Sequence, residues 1–463
     1  MRFSSLAPFV VCATLIPQSY AWGVVGTCRF AFQHTSLTRI ASWTPSGHEI
    51  VATIAQMHLH PSVMPKLCDI LDVPVKKCHL APVAAWADNV RRQAKYRWTG
   101  PLHYIGAVGD YPSVTCAFPG SQGWEGRTHI NVLNAIRNTT SVLQEFEELR
   151  RAGVQPETVP PYVQDALKFL IHFVGDMHQP LHLTGRNRGG NDDKVAFEGR
   201  TTSTYLRTFH FCLYIHSFAF SNPDLHSVWD SKLISERLRT LPWNYSEPLP
   251  LPEVEAYLRD TIYDPYIRRL VWEGLLDKWE DELDEWLVCP PSTSSVQHRL
   301  QPASTWQTIL SLFSSGKNVG EGEGKDGLGV DDDKLCPYAW AQLIHQLNCE
   351  IVFPKALDEV SPPIPSSRVF HPGSGHEDEH SCCGDEDTFG DQDPSDASGS
   401  SALTRKKGHY LELYTADYAG RIKQEWIVEK LLTQAGVRLA AVLNWIFVEL
   451  DEGDVKRILV THS

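Results

Sequence analysis

The stretch Phe169–His182 reads F-L-I-H-F-V-G-D-M-H-Q-P-L-H, and it decides how the rest of the chain is interpreted. Its apolar residues recur at helical spacing. His172 and Asp176 stand four residues apart, so an imidazole and a carboxylate share one face of the predicted helix. Pro180 ends that helix and leaves His182 just beyond it. The pattern predicts a helix that presents polar side chains to an apolar interior.

A second segment, Leu225–Asp230 (L-H-S-V-W-D), repeats the spacing, with His226 four residues before Asp230. One such pair is usually explained by a hydrogen bond between the two side chains. Two pairs and the additional His182 are better explained by metal ions, because buried imidazoles and carboxylates need partners and a metal binds both. The sequence therefore predicts a site for more than one metal ion.

The N-terminus and the composition predict an exported globular protein. The chain has 463 residues and is 42% hydrophobic. Met1–Ala21 has an early arginine, an apolar run and a small-residue ending, which is typical of a secretory signal peptide. We expect cleavage after Ala21, which makes Trp22 the first mature residue, and release outside the cell. No segment is long and apolar enough for a membrane anchor, and we expect a monomer.

Cysteines and glycosylation sequons agree with export. Of eleven cysteines, six form an even set suited to disulfides, although their pairing stays open. Sequons at Asn138 and Asn244 predict N-glycosylation. The six cysteines are Cys68, Cys78, Cys116, Cys289, Cys336 and Cys349.

The net charge of −14 is concentrated in one segment. Nine acidic residues and no Lys or Arg lie between His371 and Leu403, so the rest of the chain carries about −5. The lack of a basic stripe argues against tight binding of duplex DNA. A phosphodiesterase is not excluded, because bound divalent cations supply positive charge at the phosphate.

Helical patterns dominate, which predicts a mainly α protein. Thr27–Ser46 and Thr201–Pro223 break the pattern and are predicted to be insertions, of the kind that translated intervening sequence would give. Ser292–Lys334 and Pro362–Lys407 are rich in Ser, Gly, Pro and acids and predict disordered loops. The predicted helices are Glu49–His58, Val83–Lys95, Ile130–Arg150, Pro161–Met177, Leu251–Leu276, Asp277–Leu287, Tyr338–Glu350 and, as two helices, Tyr410–Val448.

Further motifs join these two in a fixed order: W-G at Trp22, G-H at His48, W-A-D-x-x-R at Trp86–Arg91, L-H-Y at Leu102–Tyr104 and G-G-N at Gly189–Asn191. Together with the two His/Asp segments, this order resembles the S1/P1 nuclease family, zinc-dependent nucleases secreted by fungi and plants. The resemblance runs from Trp22 to about residue 447, with interruptions, and gives a nuclease domain over residues 22–450.

The resemblance implies a single helical domain of the phospholipase C/P1 nuclease type that binds three zinc ions. The ligands, matched by position, would be Asp88, His103, His172 and Asp176 for one zinc, Trp22 (amino and carbonyl groups), His48 and Asp176 for its close neighbour, and His182, His226 and Asp230 for the third.

The same resemblance assigns the catalytic groups. A zinc pair bridged by Asp176 and also held by Asp88 would activate water, and Arg91 would stabilise the charged transition state. Asn191 would support the site or contact phosphate, and Tyr104 is a candidate contact for a base.

The implied reaction is endonucleolytic cleavage of single-stranded DNA and RNA to 5′-phosphorylated products, with 3′-nucleotidase activity. Some family members have an Asp at the position of Gly106 that reads a base edge, and Asp110 is the nearby residue that could compensate. Two alternatives stay open: a phospholipase C-like zinc phosphodiesterase, and a homologue whose catalysis is impaired by its insertions.

Overall fold

Helices provide nearly all regular structure in a computed structural model of the chain, as the sequence predicts. The structure describes residues 46–199 (apart from 119–122, 128, 155 and 157), 223–289 (apart from 243, 250, 251, 259, 260 and 262), 331–360 (apart from 332 and 333) and 410–448. The helices up to residue 190 are α1 (Ser46–Met57), α2 (Val63–Ile70), α3 (Ala81–Ala84), α4 (Trp86–Val90), α5 (Val132–Arg151), α6 (Pro161–Met177) and the short, irregular α7 (Asn187–Gly190).

The later helices are α8 (Leu225–Ser227), α9 (Leu233–Thr240), α10 (Pro252–Leu258), α11 (Asp264–Arg269), α12 (Leu283–Leu287), α13 (Pro337–Leu347), α14 (Ala356–Val360), α15 (Arg421–Gln424) and α16 (Ile427–Phe447). Shorter 3-10 turns include Arg97–His103 and Pro180–Leu183, and π-helical turns include Val228–Lys232 and Leu270–Lys278. Strands β1 (Val195–Ala196) and β2 (Leu411–Glu412) pair in parallel.

Helix α6 matches its prediction, but four of the other predicted helices are wrong in extent. The predicted helix Asp277–Leu287 is a 3-10 turn at Glu280–Glu282 followed by the short α12, and the predicted helix pair Tyr410–Val448 begins with strand β2 instead of a helix. The predicted helix Val83–Lys95 is two short helices that end at Val90, because the polar run that follows has no apolar face to bury. The predicted helix Leu251–Leu276 is interrupted, and α11 begins afresh with Pro265 in its first turn. Proline lacks an amide hydrogen and is tolerated at a helix start rather than inside a helix.

The core centres on α6, which packs against α5 and α1, and α1 in turn packs against α16. The amphipathic pattern of α6 explains its position, because Phe169, Leu170 and Phe173 are all buried. Gly436 lets α16 approach α1 closely, since a Cβ there would lie 2.5 Å from the Cγ2 of Ile54. The polar residues of α1 and α6 are thereby held next to each other.

Several predictions concern residues outside the described ranges: the signal peptide, Trp22, residues 27–45, 201–222 and 362–407, and most of 292–334. Two residues at the edges of these segments are described. Ser46 begins α1, so the predicted insertion Thr27–Ser46 overlaps this helix by one residue, and the insertion itself stays a prediction. Asp331 is not part of a disordered loop, because its carboxylate accepts hydrogen bonds from the amides of Tyr338 and Ala339 at the start of α13.

The six predicted cysteines form disulfides. The pairs are Cys68–Cys78, Cys116–Cys349 and Cys289–Cys336. Both sequon asparagines, Asn138 on α5 and Asn244, are exposed. Within the described ranges, no helix has the combined length and apolar character that crossing a bilayer requires.

Candidate metal centre

Asp176 lies at the centre of a buried cluster of histidines. Helix α6 carries both Asp176 and His172, and α1 brings in His48 near its first turn. The rings of His48 and His172 are stacked with centroids 3.8 Å apart. The nitrogen atoms around the Asp176 carboxylate are His103 Nδ1 at 2.9 Å, His172 Nε2 at 3.2 Å, His48 Nε2 at 3.4 Å and His182 Nδ1 at 3.5 Å.

Helix α4 supplies a second carboxylate to this cluster. Asp88 Oδ1 lies 3.6 Å from His172 Nε2 and 3.8 Å from His103 Nδ1. Arg91 is on the same face, with its Nε 3.5 Å from Asp88 Oδ1. The arginine is therefore placed beside the carboxylates, as the i, i+3 spacing predicts.

His182, His226 and Asp230 form a second group. Asp230 Oδ2 lies 3.2 Å from His226 Nε2, and Asp230 Oδ1 lies 3.8 Å from His182 Nε2. The groups are neighbours, because His182 also approaches Asp176 and its ring centroid is 4.9 Å from that of His226. The structure thus brings together eight of the nine predicted ligands, and Trp22 lies outside the described residues.

Beside this second group, residues 193–195 and 223–225 are joined by backbone hydrogen bonds, and we call this closed pair of segments the neck. The Val195 amide donates to the Pro223 carbonyl at 3.0 Å, and the Leu225 amide donates to the Asp193 carbonyl at 2.9 Å. The side chains of Lys194 and Asp224 form an ion pair at 3.0 Å across the same neck. His226 directly follows Leu225, so the hydrogen bonds of the neck fix its position.

Backbone carbonyls fix the tautomers of three histidines, a feature that the sequence did not reveal. The Nδ1 atoms of His172, His182 and His226 each donate at 2.7 Å to a carbonyl, since a carbonyl oxygen only accepts. The Nε2 lone pair of each neutral ring therefore faces the carboxylates. The accepting carbonyls belong to Ala84, His103 and Gly189.

This arrangement fits divalent metal ions. Three sets of ligand atoms lie within 4.8 Å of one another, and imidazole nitrogens with carboxylate oxygens are the donors that zinc takes in catalytic sites. Buried His226 Nε2 has no hydrogen-bond partner in the described chain, so a metal would satisfy it. The sets are His48, His172 and Asp176; Asp88, His103 and His172; and His182, His226 and Asp230.

Electrostatics in the cluster favour charged pairs when no metal is present. Burial lowers the pKa of His172 and His182, but nearby carboxylates, chiefly Asp176, outweigh it and raise both pKa values to about 9. Burial and the neighbouring His172 lower the pKa of His48 to about 4. Burial opposes ionisation of Asp176, yet the surrounding histidines hold its pKa well below the usual range.

A cavity opens onto both groups. Its lining combines side chains of candidate ligands, among them His48, Asp176 and Asp230, with apolar side chains. The apolar residues come from α1, α9, α16 and the turn before α9: Val51, Ile234, Val428, Leu431, Leu432, Ala435 and Trp229.

Comparison with known proteins gives the same family as the motif order. A family model described as S1/P1 Nuclease matches residues 43–363, which is more than half of the chain. The chain belongs to the S1/P1 nuclease family. Endonuclease 1 of Arabidopsis thaliana is 30% identical over 257 residues, covering 55% of this chain and 68% of that protein. Nuclease S1 of Aspergillus oryzae is 30% identical over 259 residues, covering 55% and 72%. Nuclease P1 of Penicillium citrinum is 32% identical over 162 residues, covering 34% and 53%.

Other polar residues of the S1/P1 motif support the two groups. Gln179 donates from its amide to Asp230 Oδ1 at 2.6 Å and accepts from the Leu181 amide at 2.6 Å. His178, a cavity residue, is pinned between the Val174 carbonyl and the guanidinium of Arg438. A polar pair within H-Q-P was the only sequence signal for these roles.

Asn191 and Tyr104, the predicted substrate contacts, lie at turns near the ligands. The Asn191 amide donates to the Arg188 carbonyl at 2.8 Å, so this side chain closes the turn that contains Gly189. Tyr104 is half-buried, and its carbonyl accepts from Val132 at the start of α5. Contact of either residue with substrate stays a prediction.

The expectation that Asp110 compensates for Gly106 is wrong. Asp110 is only 5% exposed, and its carboxylate accepts from Thr184 Oγ1 at 2.7 Å and pairs with His345 Nε2 at 2.9 Å. It is therefore held inside the protein. At Gly106 itself, a Cβ would lie 2.7 Å from the backbone nitrogen of Gly185, so no larger residue fits this backbone.

Gly175 provides the space that His48 occupies. A Cβ at this position would lie 2.6 Å from His48 Nδ1, so we expect Gly175→Ala to displace the imidazole and to lower both metal content and activity roughly 10- to 100-fold. Elemental analysis and hydrolysis rates measure the two effects. Gly100→Ala is the matched control, because a Cβ there meets no heavy atom within 4 Å. Full metal content in Gly175→Ala would contradict this role.

Proposed function

We propose that the protein is a secreted, zinc-dependent endonuclease that cleaves single-stranded DNA and RNA to 5′-phosphorylated products and also acts as a 3′-nucleotidase. One observation carries the proposal: three neighbouring His/Asp groups in a family of nucleases. Relatives named endonuclease or nuclease support nucleic acid as the substrate class.

Three zinc ions fit the ligand groups by the chemistry of their donors. Asp88, His103, His172 and Asp176 would hold one ion, and His182, His226 and Asp230 another. His48 and Asp176, with the amino and carbonyl groups of Trp22, would hold the remaining ion. Bound zinc would supply Lewis acidity toward water and phosphate.

The protein's own residues orient this chemistry. Asp176 lies between the two groups and Asp88 lies beside His103 and His172. Arg91, next to Asp88, would offer positive charge to the phosphate oxygens, on which negative charge develops in the transition state. Hydrogen bonds from three histidine Nδ1 atoms to backbone carbonyls keep the Nε2 lone pairs directed at the positions that the metal ions would occupy.

Hydrolysis of single-stranded DNA by the purified secreted protein, with and without a chelator, tests the proposal. We expect 5′-nucleotides as products, loss of activity on chelation, and recovery with zinc. Phosphatidylcholine serves as a second substrate, because turnover of the lipid alone would favour the phospholipase C-like alternative. Activity that survives complete removal of metal would overturn the proposal, and zinc binding without turnover would indicate the impaired homologue.

A further inference from the structure

The segment between the metal-ligand candidates Asp88 and His103 combines positive charge with aromatic rings. Arg92–Trp98 reads R-Q-A-K-Y-R-W, and Asp88 is the only acidic residue between positions 81 and 109. In a chain with a net charge of −14, this local excess of cations is unexpected. We call Arg92–Trp98 the basic segment.

The cations of the basic segment face solvent. Arg92, Lys95 and Arg97 are exposed, and Trp98 is 37% exposed. The Trp98 Nε1 donates to the Lys95 carbonyl at 3.1 Å, which holds the ring against the turn. An exposed large aromatic residue among cations is the combination that proteins use to bind single strands, because every base has a face that stacks.

The basic segment is held rigidly at its middle. The Tyr96 ring packs edge-on against Trp86, with centroids 5.3 Å apart, and its hydroxyl donates to Asp165 at 2.7 Å. Lys95 Nζ lies 3.0 Å from the same hydroxyl. Asp165 therefore partly offsets the charge of Lys95, and the side chains of Arg92 and Arg97 are exposed.

Both ends of the basic segment lead into the metal centre. Arg92 is the fourth residue after Asp88, and His103 is the fifth residue after Trp98, so each end lies within about 18 Å of a ligand along the chain. A strand whose phosphate occupies the metal centre therefore reaches the segment within a few nucleotides.

We propose that the basic segment is a docking surface for the single-stranded nucleic acid that flanks the cleaved bond, with phosphates on Arg92, Lys95 and Arg97 and a base stacked on Trp98. The inference rests on the proposed nuclease function and deepens it. It predicts that long strands are bound more tightly than short substrates that end at the metal centre.

The test compares a 30-nucleotide DNA strand with a 3′-nucleotide as substrates for the full secreted protein. We expect the triple variant Arg92→Ser/Lys95→Ser/Arg97→Ser to raise KM for the strand roughly 10- to 100-fold at low salt. The slope of log KM against log salt should fall by about 2, because three phosphate contacts at about 0.7 each are lost. The kcat and KM for the 3′-nucleotide should stay within about twofold.

Trp98→Ala separates stacking from charge. We expect it to raise KM for the strand at least about fivefold with little change in salt slope. The control Lys76→Ser/Lys77→Ser removes two exposed cations elsewhere. Metal content must equal wild type in every variant.

Three outcomes would count against the proposal. If wild type cleaves both substrates and the triple variant behaves like the Lys76/Lys77 control, the docking surface is overturned and the nuclease function stands. Equal losses on both substrates would show that the segment acts on the metal centre instead, which also overturns it. If wild type cleaves neither substrate, the proposed function itself fails.

Discussion

Asp176→Asn is expected to abolish binding of the two metal ions that have Asp176 among their proposed ligands. It should also lower the rate of hydrolysis of single-stranded DNA on the order of 1,000-fold or more. The carboxylate lies within 3.5 Å of a nitrogen on each of four histidines. An amide replaces one of its anionic oxygens with an NH₂ donor, which cannot bind a cation. Elemental analysis of the purified variant and initial rates measure the loss.

The matched control for this variant is Asp69→Asn. Asp69 forms an exposed ion pair with Arg150 at 2.9 Å, and such pairs contribute little. Circular dichroism should show that both variants are folded. Wild-type metal content in Asp176→Asn would contradict the central role of Asp176 in metal binding.

Metal loading is expected to release about two protons per chain at pH 7. In the metal-free protein, carboxylates outweigh burial and raise the pKa values of His172 and His182 to about 9. Both imidazoles must be neutral to bind metal, so each group's apparent affinity falls about tenfold per pH unit below 9 and roughly 100-fold from pH 8 to pH 6. Titration calorimetry in buffers of different ionisation enthalpy counts the protons.

The same pKa values set the stability of the metal-free protein. Because the folded-state pKa values exceed the ordinary value of 6.5, the two histidines stabilise the fold fully below pH 6.5, and this contribution is lost as pH rises through about 9. The melting temperature in chelator should therefore fall across that range, while the increase that zinc produces grows. Proton release near zero would contradict the charged pairs.

The central part of this site can be predicted from sequence because its His and Asp residues lie close together along the chain. His172 with Asp176, and His226 with Asp230, lie one turn apart, and helical periodicity alone puts each pair on one face. The motif order then added His48, Asp88 and His103, which the structure places around Asp176. Helix α6 was predicted with its observed bounds because its apolar pattern and its proline start are unambiguous.

Contacts between distant parts of the chain could not be read in the same way. His345 and Asp110 are 235 residues apart, so nothing local showed that the Asp110 carboxylate is buried. The carbonyl partners of the histidines belong to the backbone, which every residue has. The predicted helix Val83–Lys95 failed because a polar run after Val90 has adequate helix propensity but nothing to bury, and tertiary packing decides such cases.

Because the neck is closed at Val195, Pro223 and Leu225, the number of residues between its two sides does not change the geometry of the metal ligands that follow it. Its backbone hydrogen bonds join the two sides of residues 200–222 directly before His226. A chain that contains these residues and a chain that lacks most of them therefore have the same residues next to His226. The neck is therefore a natural acceptor point for foreign sequence. A reporter peptide or an affinity handle grafted between Gly199 and Pro223 would leave the registry of His226 and Asp230 intact.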